Sequence, residues 1–136
     1  MANLHLEVVT PERVVVSEDV LGVVAPGSMG EFGILPGHVP FLTSLVPGEL
    51  RYNSGSRSER LAVSSGFAEV SNNRVSVLVD AAEKAQEIDI ERAKKALERA
   101  RERLAMERGK QDVDHLRAEI SLKRAIARIK VVQKSI

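Results

Sequence analysis

Apolar positions change their rhythm about two thirds of the way along the chain. Before that point they come in short runs that alternate with polar residues or are apolar throughout: Leu4 to Val9, Arg13 to Val16, Val20 to Val24, Leu50 to Tyr52, Glu59 to Val63, Phe67 to Val70 and Arg74 to Val79. Turn-forming clusters separate them, among them Thr10-Pro11, Pro47-Gly48, Asn53-Ser54-Gly55, Ser64-Ser65-Gly66 and Ser71-Asn72-Asn73. Short strands at regular spacing with tight turns predict a sandwich or flattened barrel.

Beyond that point the spacing becomes helical. Asp89 is placed to cap a helix starting at Ile90, with Glu91 favourable in its first turn. Ala93, Leu97, Ala100 and Leu104 follow at four, three and four residues. Gly109 is expected to stop this helix and Asp112 to cap the next. In the second helix Ala118, Leu122, Ala125, Ile129, Val132 and Ile136 continue the same rhythm. Two such seams joined by a short glycine-containing loop predict an antiparallel helical hairpin. The expected class is therefore α+β, an N-terminal β domain over residues 1–84 followed by a hairpin over 85–136.

Composition sharpens this division. All five prolines and eight of the nine glycines precede residue 80. Residues 1–80 carry a net charge of −4 and residues 81–136 one of +5, which the overall +1 conceals. The hydrophobic fraction of 43% and charged fraction of 29% are those of a globular protein, and with only 3% aromatics the core must come from Val, Leu, Ile and Ala. No cysteine is present, which excludes disulfides and thiolate chemistry. No apolar run approaches the roughly 18 residues of a spanning helix. The alternating N-terminus does not read as a signal peptide, so any membrane association is expected to run through partners.

The stretch APGSMGEFGILPGH (residues 25–38) invites a phosphate-loop reading, since glycine-rich turns cradle phosphates. Its spacing, Gly27-x-x-Gly30-x-x-Gly33, fits neither nucleotide fingerprint. Ile34-Leu35-Pro36-Gly37 cannot open a helix whose dipole would hold an anion. Turns and close backbone approach are the expected roles. No catalytic constellation accompanies it: His5, His38 and His115 are too scattered for a zinc pattern, and Glu31 and Glu49 show no marked partner in the sequence.

This same stretch carries a resemblance. Gly27-x-x-Gly30-x-Phe32-Gly33-Ile34-Leu35-Pro36-Gly37-His38-x-Pro40-x-Leu42-Thr43 is similar to the signature of the ε subunits of F-type ATP synthases. The likeness spans the chain, through Val8-Val9-Thr10-Pro11-Glu12, the Ser65-Gly66 turn into Phe67-Ala68-Glu69-Val70, and the Ala-rich hairpin. Ser65 departs from the glycine that many relatives carry there. The resemblance implies a ten-stranded β-sandwich followed by two helices, without catalytic residues, metal or resident cofactor. It implies a coupling role in the central stalk: the sandwich bound to γ and resting on the c-ring, the hairpin restraining ATP hydrolysis at the α and β subunits. It places the chain peripherally, through the complex, at the cytoplasmic face of a bacterial energy-transducing membrane. Glu31 and His38 would lie on the loop face toward γ and the c-ring, although on residue type alone both are ordinary polar turn positions.

Ile88-Asp89-x-x-Arg92-Ala93 resembles the I/L-D-x-x-R-A motif by which some bacterial ε subunits bind ATP. A carboxylate such as Asp89 or Glu83 can accept from the adenine amino group, and Arg92, Arg99, Arg124 and Arg128 can meet phosphates. Asp89 is equally a good cap by itself. On the last helix Arg117, Arg124 and Arg128, and likewise Lys123, Lys130 and Lys134, repeat at seven and four residues away from the apolar seam. Such a face either keeps the hairpin solvated or meets an acidic partner, for which Arg117 and Lys123 are candidates. Nucleic acid is disfavoured by the lack of stacking aromatics and the near-zero net charge. The residues themselves leave two other classes open, a free-standing adaptor with a coiled-coil arm and a small phosphate-binding enzyme.

Overall fold

The computed structural model describes residues 3–106 and 113–134. Ten strands come first: β1 (Leu4–Val9), β2 (Val14–Val20), β3 (Gly22–Gly27), β4 (Gly30–Ile34), β5 (Phe41–Leu45), β6 (Gly48–Asn53), β7 (Ser58–Val63), β8 (Gly66–Ser71), β9 (Arg74–Val79) and β10 (Ala82–Lys84). A single 3-10 turn at Ala85–Glu87 leads to the helices α1 (Ile90–Met106) and α2 (Val113–Lys134). The strands follow the order β10-β7-β6-β3-β5-β8-β9-β1-β2, with β4 added to β3. All pairs are antiparallel except β1 with β9. Folding this sheet over itself gives the expected ten-stranded sandwich.

Its interior is aliphatic because the strands alternate. In β1, Leu4, Leu6 and Val8 are buried while His5, Glu7 and Val9 face out, and β9 repeats the pattern with Val75, Val77 and Val79. Twenty buried residues form one core, and Tyr52 is its one aromatic member, joined at the margin by Phe32. The glycine-rich stretch, expected to serve turns and close backbone approach, also holds a strand. Gly27 pairs with Gly30 across a two-residue turn, and β4 runs back along β3 as far as Ile34 against Val23. Gly30 sits at φ +119, where only glycine is at ease. At Gly27 a Cβ would come within 2.9 Å of the Phe32 ring, so the small residue lets that ring lie over the strand.

The two helices pack along the expected seams. Ala93 and Ala100 of α1 and Ala118 and Ala125 of α2 are buried, with Leu97, Leu104, Leu122, Ile129 and Val132 half-buried around them. Asp89 caps α1: its Oδ1 accepts from the Arg92 N–H at 3.1 Å. The loop residues Gly109 and Asp112 and the terminal Ile136 lie outside the described residues. The sequence pattern missed a second apolar face on α2. Ala127 and Val131, 3% and 0% exposed, pack on Ala62 of β7 with Ala85 and Ile88 alongside, and so lay the hairpin on the sandwich.

Candidate functional site

Where the hairpin meets the sandwich, a cleft of about 240 Å³ is lined by Glu83, Glu87, Ile88, Asp89, Arg92, Ala93 and Arg128. Six of the eight residues singled out for ATP thus converge from three elements. Glu83 comes from β10, Ile88, Asp89, Arg92 and Ala93 from the entry to α1, and Arg128 from α2, forty-five residues away from Glu83. Arg99 lies outside the cleft, exposed on α1 two turns beyond Arg92. Arg124 lines the neighbouring hollow with Ser64 and Ala81.

The charges of the cleft are already engaged with one another. Arg128 Nε donates to Glu83 Oε1 at 2.6 Å, and Arg124 Nη2 stands 3.9 Å from Asp80. This corrects the reading of Arg124 and Arg128 as a solvated basic face, since both turn toward the sandwich. Arg124 Nε is buried with no hydrogen-bond partner among the described residues. Glu87 closes the 3-10 turn, accepting from the Lys84 N–H at 3.0 Å and from Arg13 Nη2 at 2.8 Å. Those two donors hold its carboxyl below the ordinary carboxylate value, the backbone bond first and the guanidinium second. Chemically the cleft offers carboxylates that accept and guanidinium groups that donate, the pairing needed for a nucleobase and phosphates.

Glu31 and His38 do not share a charged site. Glu31 on β4 takes both Arg51 amino groups, each at 3.1 Å. Glu49, side chain 7% exposed, accepts from Arg60 at 2.6 Å and from Arg51 at 3.4 Å. The expectation that Glu31 and Glu49 lack partners is overturned, because residues distant in sequence become cross-strand neighbours on one sheet face. His38 Nδ1 lies 2.7 Å from the Val39 carbonyl and its ring 5.9 Å from that of Phe41. Arg117 and Lys123 are exposed on α2. No group of three or more His, Cys, Asp or Glu able to hold a metal occurs among the described residues.

A feature that the pattern did not single out is an apolar row on the opposite face of the sandwich. Val14, Val9, Leu78 and Phe67 stand side by side across β2, β1, β9 and β8. Val14, Leu78 and Phe67 are 56–60% exposed. The signal was present as apolar residues at outward positions of the alternation, but register is needed to line them up.

Residues 3–85 match the family of the ATP synthase delta/epsilon chain beta-sandwich domain, and residues 86–133 that of the delta/epsilon chain long alpha-helix domain. Fold and domain order are thus those of a delta/epsilon chain of an ATP synthase. The ATP synthase epsilon chain of Nitratidesulfovibrio vulgaris strain DP4 is 53% identical over 129 residues, 95% of each chain. That of Syntrophobacter fumaroxidans is 51% identical over 133 residues, 98% of each. A chain of the Euglena gracilis mitochondrial ATP synthase, in an assembly of OSCP, F1 and c-ring, superposes with a TM-score of 0.79 at 25% identity, covering 99% of this chain and 82% of that one. A chain of the Tetrahymena thermophila mitochondrial ATP synthase central stalk and c-ring shares the fold, with a TM-score of 0.57 at 16% identity over 97% and 95%. The chain belongs to the epsilon chains of F-type ATP synthases, central-stalk subunits that are regulatory and structural rather than catalytic. No described helix is long and apolar enough to cross a membrane.

Proposed function

We infer that the sandwich, residues 1–84, couples γ to the c-ring, and that the hairpin, residues 85–136, restrains ATP hydrolysis by leaving the sandwich for the α and β subunits. The observation that carries this reading is how little holds the hairpin down. Ala62, Ala127 and Val131 are its buried apolar contact, bordered by Ala85 and Ile88, with the Arg128–Glu83 pair beside them. An alanine methyl contributes about 0.8 kcal/mol on burial and a valine roughly 1.5–3, so a partner surface or a small ligand can tip the balance. The outward row Val14, Val9, Leu78 and Phe67 offers γ an apolar surface on the sandwich, and Glu31 of β4 with His38 in the turn after it would lie on the face toward γ and the c-ring. Exposed Arg117 and Lys123 suit acidic surfaces of β once the hairpin is released. The complex then holds the chain peripherally, at the cytoplasmic face of a bacterial membrane.

ATP is the regulatory ligand of this reading, bound by Glu83, Ile88, Asp89, Arg92, Ala93 and Arg128. The cleft is smaller than the 300 Å³ or so of a typical ligand pocket. The phosphates would therefore extend toward Arg99 and Arg124. A nucleotide lodged between β10, α1 and α2 binds the docked hairpin and not the released one, which stabilises docking.

The test is ATP hydrolysis by the αβγ complex without this chain, with the full chain, and with the chain cut after residue 85. The full chain should inhibit. The truncated chain should still join the complex and leave hydrolysis fast. Equal inhibition by both would place the restraint outside the hairpin and sink the reading.

A further inference from the structure

Helix α2 is held along both of its edges by charge, and the two edges are built differently. On one, Arg124 and Arg128 reach Asp80 and Glu83 directly. On the other, Lys123 and Lys130 line a groove of about 260 Å³ whose far wall holds Pro26, Glu31 and Glu49. Neither lysine makes an ion pair within 4 Å among the described residues. The carboxylates across from them are engaged within the sandwich: Arg51 grips Glu31 through two bonds of 3.1 Å and lies 3.4 Å from Glu49, which also accepts from Arg60 at 2.6 Å. Register allows this: β3 has Arg51 of β6 opposite Val24 on one side and Glu31 of β4 opposite Pro26 on the other, and Arg51 faces Arg60 of β7. One guanidinium of the sandwich thus holds both carboxylates that face the two lysines of the arm across the groove.

We propose that Arg51 sets how firmly the hairpin docks, by competing with Lys123 and Lys130 for Glu31 and Glu49. The groove keeps its cations and anions within a screening length of each other, so attraction across it persists without direct pairs. Arg51 cancels part of the acidic charge and adds a positive charge that repels the lysine edge. The docked state is thereby left weak enough to be reversed. The sandwich contributes more than a surface to rest on: the side chains that β4 and β6 set on either side of β3 tune the arm. Because Glu31 lies one residue from the β3–β4 turn, at the end of the strand pair, anything drawing it away from the groove weakens docking.

This inference rests on reading the hairpin as a releasable arm, but its test needs only the full isolated chain. No cysteine is present, so Ala127→Cys places a single thiol at the buried contact between α2 and β7, and its modification rate reports undocking. Ala118→Cys, buried in the α1–α2 seam, reports opening of the hairpin itself. Lys123→Gln with Lys130→Gln should speed modification at position 127 about two- to fivefold, the range for weak surface ion pairs, and leave position 118 unchanged. Arg51→Gln should slow it by a similar factor. If that variant does not fold, Glu31→Gln supplies the other arm and should speed it. Raising salt from about 0.05 M to about 0.5 M should speed the parent more than the double lysine variant, in which only the edge held by Arg124 and Arg128 still responds. Unchanged rates at position 127 in the lysine variant, or equal changes at both thiols, would overturn the proposal. Altered rates with hydrolysis in the complex unaffected would leave it standing and instead remove the inhibitory role of the arm.

Discussion

The interior of the sandwich and the contact under the hairpin are both apolar, yet they are built on different scales. The first gathers twenty buried residues from all ten strands, β4, β5 and β10 giving one each, with Leu4, Leu6, Leu50 and Leu61 at or below 1% exposure. The second gathers Ala62, Ala127 and Val131. At about 25 cal/mol per Å² of apolar surface, the first is worth tens of kcal/mol before chain entropy is charged against it, and the second a few. One chain thus combines a platform with a large apolar interior and an arm laid on it through a small apolar contact. The charged residues follow the same division, since the arm is aligned by ion pairs that salt and partners can dissolve.

The platform should fail at single atoms. Gly66 begins β8 with its Cα against the backbone of β9: a Cβ there would strike the Leu78 carbonyl and lie 2.7 Å from Val79 Cα. Gly66→Ala should cost several kcal/mol or abolish folding in urea titrations. Gly33→Ala, where a Cβ meets nothing within 4 Å, should stay within about 0.5 kcal/mol. Comparable losses in the two would mean that close β8–β9 approach is not what Gly66 provides.

Alkaline pH separates the two regions again. Burial, reinforced by Glu18 and Glu59, pushes the phenol of Tyr52 up from 10.0 to about 12. The folded state holds the proton more tightly than the unfolded one, so this stability is intact below pH 10 and is lost as pH rises from 10 through 12. Tyr52 is the sole tyrosine, so tyrosinate absorbance follows it directly. Its midpoint should fall near 12 in the folded chain and near 10 in urea, and Tyr52→Phe should remove this part of the alkaline destabilisation. A folded-state midpoint near 10 would contradict the burial.

Under the arm, Val131→Ala should weaken docking by about 1–2 kcal/mol while leaving the urea midpoint of the sandwich in place. Faster proteolysis within the hairpin, with residues 1–84 still resistant, is the expected pattern.

How much of this could be read from sequence depended on whether neighbours in the chain are neighbours in space. Strands β1 and β9 were read to the residue because their alternation is local. Strand β4 was not, because Gly30 and Gly33 have low strand propensity and only pairing with β3 makes them extended. Phe41–Leu45 was missed because its first four residues are not buried and show no inward alternation. The α1–α2 seam was legible as a heptad. Ala127 and Val131 were not, since a helix touching two surfaces has two apolar faces and the stronger masks the weaker. At the cleft the I-D-x-x-R-A segment stood out, whereas the commitment of Arg128 to Glu83 is a contact over forty-five residues that no local pattern encodes.

The smallest predicted effect separates structure from ligand at one residue. Asp89 caps α1 through Arg92 N–H and also lines the cleft. Asp89→Ala should cost about 1 kcal/mol of helix stability, and Asp89→Asn only a few tenths, since asparagine caps about as well. If the carboxylate also receives the amino group of adenine, both variants should weaken ATP binding, alanine the more: asparagine keeps an acceptor oxygen but loses the charge that strengthens the bond. Calorimetry of the full chain with millimolar ATP should then show weakened binding in both, while thermal unfolding shifts clearly only for the alanine variant. Binding at full parent strength in the asparagine variant, with loss only in alanine, would assign the effect to the cap. In that case Asp89 would serve the nucleotide only by holding the first turn of α1 in place.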